Sequence, residues 1–334
     1  MTISGFSDLA SSLQLRRDNA RLSSDLLRLS QELSSGRRSD VTSGVSGDFG
    51  PLAAFKRDLA ANQSFTQTGQ EARLVAQTGQ EVLGQIAANA NEDSTALLVV
   101  ITNPDPELVE KAAGRARQSF ESAIAGLNVG AAGRSVFAGQ AFSSAATVDA
   151  DTILNDLFTA TAAETTAAGV EAIVDAYFAP GGGFETTAYL GDVAATPTRL
   201  GSGETATPTL LATDTRITET LAETAKAALL DMGALITAPV ERATLAGNAG
   251  QGLVEASSTL TAARADIGIA EEALDRALTR LAAEKTSTEM ALGEVVNADP
   301  FETASRLQET ETLLQSLYIL TSRLASLSLG NFLR

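Results

Sequence analysis

The stretch LSSDLLRLSQELSSG, residues 22–36, decides the fold. Leu22 and Leu29 lie one heptad apart, with Leu15 a heptad earlier, and Leu26 and Leu33 form a second row four residues after them. In heptad terms the first row is d and the second is a, which runs back to polar Asn19 and Ser12. Apolar side chains at this spacing share one face of a helix. Ser34-Ser35-Gly36 then ends it, because glycine readily takes the left-handed conformation past a helix C-terminus. The reading is one helix from about Ser7 to Ser34, roughly 40 Å long at ~1.5 Å per residue.

The C-terminus repeats the pattern. Leu313, Leu317, Leu320, Leu324 and Leu327 are spaced 4-3-4-3, with Leu307, Leu314 and Ile319 widening the stripe. Asp299-Pro300 supplies a start signal and Gly330-Asn331 a stop. A third seam precedes it: Leu253, Leu260, Ile267, Leu274 and Leu281 stand at seven-residue intervals, predicting a helix from about Gly252 to Asn297. Leu52 to about Ile101 is also helical, with interruptions expected near Gly69, Gly79 and Gly84. Glu107 to Leu127 follows, with Phe120, Ile124 and Leu127 on one face, and Pro104 and Pro106 separate the two.

The middle differs in texture. From about Gln140 to Thr213 the segments are short, punctuated by Pro180-Gly181-Gly182-Gly183, Pro197, Gly201-Ser202-Gly203 and Pro208, with nine acidic residues and one basic residue, Arg199. Ile153 to Phe158 and Val170 to Phe178 read as short helices; Phe184 to Leu190 and Thr207 to Leu211 read as strands. The expected fold is mainly α: a long helical bundle or coiled coil formed by the N- and C-terminal segments, with a small inserted α+β domain. The expected division is 1–40 with 297–334 as a terminal coiled coil, 41–139 with 214–296 as a helical shaft carrying a β-hairpin, and 140–213 as an outer insertion.

Composition removes most chemistry. The chain has 334 residues, 44% of them hydrophobic but only 4% aromatic, and contains neither cysteine nor histidine. Disulfides, thiolate nucleophiles, histidine bases and histidine- or cysteine-ligated metals are therefore excluded. A net charge of −17 opposes binding to nucleic acid or to an anionic membrane surface. Met1-Thr2-Ile3-Ser4-Gly5-Phe6 lacks the basic and apolar regions of a secretory signal, and the apolar run Ala96 to Ile101 is far shorter than a membrane span.

Each candidate chemical site reads more simply as structure. Gly181-Gly182-Gly183 lacks the Gly-Lys-Ser/Thr ending of a phosphate-binding loop. Asp149 and Asp151 begin like a calcium loop, but Leu154 stands where its glycine is required. The carboxylate pairs Glu271/Glu272, Glu219/Glu223 and Glu309/Glu311 lie on amphipathic helices and read as wet faces. Asn62-Gln63-Ser64 fits a glycosylation sequon without a signal peptide before it. No catalytic residue, cofactor or metal is expected.

The terminal leucines are another matter. Each leucine left in water forgoes about 1.5–3 kcal/mol. Ten unpaired ones would outweigh the ~5–15 kcal/mol stability of a typical domain. If the terminal helices pair, the hairpin still has an outer face, expected to carry Leu9, Leu13, Leu307 and Leu314. Leu15, Leu22, Leu26, Leu29, Leu33, Leu313, Leu317, Leu320, Leu324 and Leu327 are the candidate assembly interface.

These ends resemble a known family. Leu22 to Arg38, ending in a Leu-Ser-Ser-Gly-Arg turn, is similar to the N-terminal signature of bacterial flagellins, and Ala304 to Leu333 to their C-terminal helix. Within that superfamily, Gly133-Arg134-Ser135-Val136-Phe137-Ala138-Gly139 resembles a Gly-Arg-Tyr-Leu-Phe-Ala-Gly strand of the hook-associated protein 3 family, subunits of the hook–filament junction; Ala298-Asp299-Pro300, Ala304 and Leu307 fit the same family. Flagellins carry an Asn-Ser-Ala-Lys-Asp-Asp-Ala-Ala-Gly run after the turn; Ser39-Asp40-Val41-Thr42-Ser43-Gly44 replaces it here, which argues against a major filament subunit. The resemblance implies a non-enzymatic structural subunit, exported unfolded through the flagellar secretion channel to the cell exterior. Its implied partners are copies of itself, hook-associated protein 1 on the hook side, flagellin on the filament side and a flagellar export chaperone. A minor flagellin is the alternative; an amidase or adhesin using the acidic middle segment is a third reading, without a nucleophile to support it.

Overall fold

The structure is a computed structural model that describes residues 4–40, 48–102, 105–201, 203–207 and 210–332, with the side chains of 4–9, 11 and 325–332 left aside. Pro104, Ser202, Pro208 and Val41 to Gly44 lie outside the described residues, as do the side chains of Leu9 and Leu327. The described elements are α1 (Ser4–Ser35), α2 (Gly50–Thr102), α3 (Pro106–Leu127), a hairpin of β1 (Gly130–Ala131) and β2 (Arg134–Ser135), α4 (Ala150–Thr161), α5 (Ala167–Phe178), a π-helical turn (Phe184–Ala188), β3 (Thr198–Arg199) paired with β4 (Thr205–Ala206), α6 (Thr215–Asp231), α7 (Pro239–Val296) and α8 (Pro300–Phe332). The fold is mainly α, with long helices and two small two-stranded sheets among the described residues. Its contacts define two compact units, Met1–Ala61 with Ala283–Arg334, and Asn62–Ala282.

The larger unit is built on two helices of complementary texture. The face of α7 alternates large and small at 3-4 spacing: Leu253, Ala256, Leu260, Ala263, Ile267, Ala270, Leu274, Ala277 and Leu281 are all buried. The face of α2 keeps the same 3-4 spacing, small at Gly69, Ala72, Ala76 and Gly79 and mostly larger beyond, at Leu83, Ile86, Ala90, Asp93, Leu97 and Val100. The two run antiparallel, tied at one end by Asn62 Nδ2 donating to the Leu281 carbonyl at 2.8 Å and midway by Gln80 Nε2 donating to that of Arg264. Small faces large: a methyl added at Gly79 would meet Ile267 Cδ1 at 3.6 Å, and one at Gly250 of α7 would meet Leu97 Cβ at 2.9 Å. This corrects the expected interruptions. Gly69, Gly79 and Gly84 lie inside one unbroken helix, where they let the other helix approach. The helix through the third seam also starts earlier than expected, at Pro239. The sequon residue Asn62 is buried in the same interface.

Around this pair, α3 packs on α6, with α4 and α5 beside them. Residues 140–213 contribute Ile153, Leu157, Val170, Phe178 and Phe184 to the same apolar core as Phe120, Leu127, Leu221 and Leu253. Phe178 stands 6.5 Å from Phe120 edge-on and 5.2 Å from Phe184. The strand expected at Phe184 to Leu190 is instead the π-helical turn: Thr186 N donates to the Gly182 carbonyl at 3.0 Å, and the Thr187 hydroxyl to that of Gly183 at 2.6 Å. The side-chain bonds and the burial of Phe184 outweigh the strand propensity of its threonines. The strand expected over Thr207 to Leu211 falls partly outside the described residues; β4 precedes it. Ala132 (φ 52°) and Gly133 (φ 75°) turn the hairpin β1–β2, the left-handed pair that a two-residue type I′ loop needs. Phe137, just beyond, is fully buried.

Gly250→Ala is expected to destabilise the larger unit by about 1–3 kcal/mol in chemical denaturation, the overlap with Leu97 exceeding the helix-propensity gain. Gly268→Ala, whose added methyl has Gln80 Nε2 at an ordinary 3.6 Å, is expected to be neutral or stabilising by up to ~1 kcal/mol.

Candidate assembly interface

The smaller unit brings the two ends of the chain together. Gly36 (φ 67°) closes α1 by donating to the Glu32 carbonyl at 2.8 Å. Arg37 then pairs with Asn297 in an antiparallel bridge; Arg38 N donates to the Val296 carbonyl at 2.9 Å, and Ala298 N to that of Gly36 at 3.0 Å. Asp299 starts α8, its Oδ1 accepting from the amides of Phe301 and Glu302 at 2.8 and 3.1 Å, with Pro300 in the first turn. Because the bridge joins the end of α1 to the start of α8, the two helices pack side by side in opposite directions. α8 runs through the expected stop at Gly330-Asn331 to Phe332.

Each helix turns one row toward the other. On α1 these are Leu15, Asn19, Leu22, Leu26 and Leu29, half-buried except Leu29, which is 4% exposed. Past Leu29 the inner position passes to Glu32, buried and bonded to Ser39 N at 2.9 Å and Arg28 at 3.3 Å, so that Leu33 lies at the surface. On α8 the inner row is Thr303, Leu307, Thr310, Leu314, Leu317 and Thr321. That corrects the expected outer face: Leu307 and Leu314 point inward, and of the described leucines in the C-terminal seam only Leu317 is half-buried. Leu313, Leu320 and Leu324 are left about half exposed, as are Tyr318 and Ile319; on α1, Leu13 and Leu27 are outward, Leu27 at 69%. A helix pair can cover one stripe on each partner, and this sequence carries more leucine than one stripe holds.

The other sequence candidates resolve into structural roles. Asp149 caps α4, accepting from Thr152 N at 2.8 Å, and that backbone bond holds its carboxyl below the usual range. Gly181 N donates to Glu185 at 2.7 Å in a local turn. Glu223 is half-buried against Lys226 at 2.7 Å; desolvation pushes its carboxyl up while the lysine opposes the shift, and Lys226, itself buried, also reaches Asp175 at 2.7 Å, joining α5 to α6. Glu219 accepts from the Thr259 hydroxyl at 3.2 Å, and Glu272 lies 3.8 Å from Arg276. Partial burial and the neighbouring Asp275 raise Glu271. Among the described residues no cluster of acidic side chains is arranged to hold a metal ion. The helix α6 at 215–231 was not singled out in the sequence, although Asp214 before it is a capping residue, accepting from Arg216 N at 3.1 Å.

Residues 251–333 match the family described as the bacterial flagellin C-terminal helical region. The matched segment takes in the leucine seam of α7 from Leu253 onward and almost all of α8. The match is confined to the C-terminal part of the chain, and over it the chain is similar to flagellins. A comparison with curated proteins finds no match.

Leu29→Ala is expected to cost ~2–5 kcal/mol, enough to melt a weakly held α1–α8 pair outright, read as lost helical circular dichroism of the dilute monomer. Leu320→Ala is expected to change the monomer by less than about 0.5 kcal/mol. Equal effects from the two would contradict the burial pattern.

Proposed function

We propose that this chain is a subunit of the hook–filament junction, a structural adaptor without catalytic activity. The observation that carries the reading is the terminal hairpin, which gathers leucines from both ends of the chain and leaves Leu313, Leu320 and Leu324 in water. The family match over 251–333 supports a flagellar role. The resemblance of Gly133 to Gly139 to the junction family supports the more specific one, and there the motif forms the second half of a tight hairpin leading into buried Phe137.

On this reading the terminal helices pack against copies of the chain, hook-associated protein 1 contacts the ring from the hook side, and flagellin continues it on the filament side. An export chaperone holds the ends before secretion, and the exposed leucines are the surface it would cover. Ordering of the ends is coupled to docking, so part of the contact free energy is spent on folding them. Absence of cysteine spares the secreted chain oxidative crosslinks. The division into terminal segments 1–40 with 297–334, shaft 41–139 with 214–296 and insertion 140–213 belongs to this proposal. A minor flagellin is the second reading, favoured by the same exposed leucine rows, which suit continuous polymerisation as well as a ring.

Deletion of the gene is expected to leave intact hooks on the cell and flagellin shed into the medium; filaments of normal length in the deletion strain would overturn the junction role. Leu26→Asp with Leu320→Asp is expected to reproduce that phenotype while residues 62–282 keep their native circular dichroism and melting transition. Long polymers grown from the purified chain alone would favour the minor flagellin.

A further inference from the structure

The outward faces of the terminal helices carry unmatched charge beside the leucines. Arg17 and Arg21 lie one turn apart on one flank of α1, both exposed, and neither forms an ion pair among the described residues. Arg28, a heptad beyond Arg21, is held instead by Asp25 at 3.1 Å and Glu32 at 3.3 Å. On α8, Glu309, Leu313, Leu320 and Leu324 recur at spacings of 4, 7 and 4 and so line one flank. Glu309 is exposed and unpaired among the described residues, while Arg306, the nearest cation on its helix, is engaged by Glu302 at 2.6 Å.

We infer that the leucine flank of α8 receives α1 of a second copy of this chain, with Arg17 and Arg21 of one copy closing on Glu309 of the next. The inference rests on the assembly reading above and adds to it what sets the register. Leucine rows alone do not: apolar contact is non-directional, and a slip of one heptad brings leucine against leucine again. A basic pair meeting one carboxylate marks a single alignment. It also supplies local attraction in a chain whose net charge of −17 opposes approach of its copies.

The test uses purified full-length chain and two variants, Arg17→Glu with Arg21→Glu, and Glu309→Lys, followed by sedimentation and light scattering. Each variant alone is expected to need a roughly tenfold higher concentration to associate at ~0.05 M salt, and an equimolar mixture is expected to regain the parental onset. The differences are expected to shrink at ~0.5 M salt, where screening shortens the reach of exposed charges. Variants that associate as the parent does, or a mixture as impaired as either variant alone, would overturn the charge register while leaving assembly itself intact. A parent chain that stays monomeric at every concentration would overturn the assembly reading, and this inference with it.

Discussion

Two antiparallel helices can cover only one stripe of each other, and the rest of the terminal unit follows from that constraint. The bridge between Arg37 and Asn297 sets the helices side by side, and Leu29, Leu22, Leu307 and Leu314 fill the seam. Leu313, Leu320 and Leu324 have no place in it. Their exposure is a consequence of having leucines on two flanks of a helix that has one partner. Apolar flanks of this extent, gathered in one hairpin, are what the proposed assembly would cover.

The larger unit shows what the same heptad pattern does when a partner is built in. Leu253, Leu260, Ile267, Leu274 and Leu281 are as regular as the terminal seams, yet all are buried, because α2 answers them with glycine and alanine and offers its own Leu97 against Gly250. Seven-residue spacing therefore marks a face that needs covering and leaves open what covers it. For α7 the cover is in the chain; for α8 much of it is missing.

That distinction also explains how much could be read beforehand. The extents of α1 and α3, the Asp299-Pro300 start of α8 and the third seam were legible because caps and heptads are local signals. The glycines of α2 were misread as interruptions because their role depends on Leu278, Ile267 and Arg264, some two hundred residues away. The inner row of α8 was displaced by one position for a related reason. Thr303, Thr310 and Thr321 carry little apolar signal, yet they share the seam with Leu307, Leu314 and Leu317, and the denser leucines beside them drew the stripe to the wrong flank. At Phe184 the propensity of Thr186 and Thr187 pointed to a strand, and their hydroxyl bonds to Gly182 and Gly183 turned the backbone the other way. The leucine rows themselves were legible; which leucines face water depended on the partner helix.

On the proposed function, both terminal helices present an apolar surface that only neighbouring subunits finish. Amide hydrogen exchange on dilute monomer and on assembled material measures it directly. Weak protection is expected across Leu15–Leu33 and Leu313–Leu324 in the monomer, rising by orders of magnitude on assembly while 62–282 changes little. Strong protection of both segments already in the dilute monomer, unchanged on assembly, would contradict it.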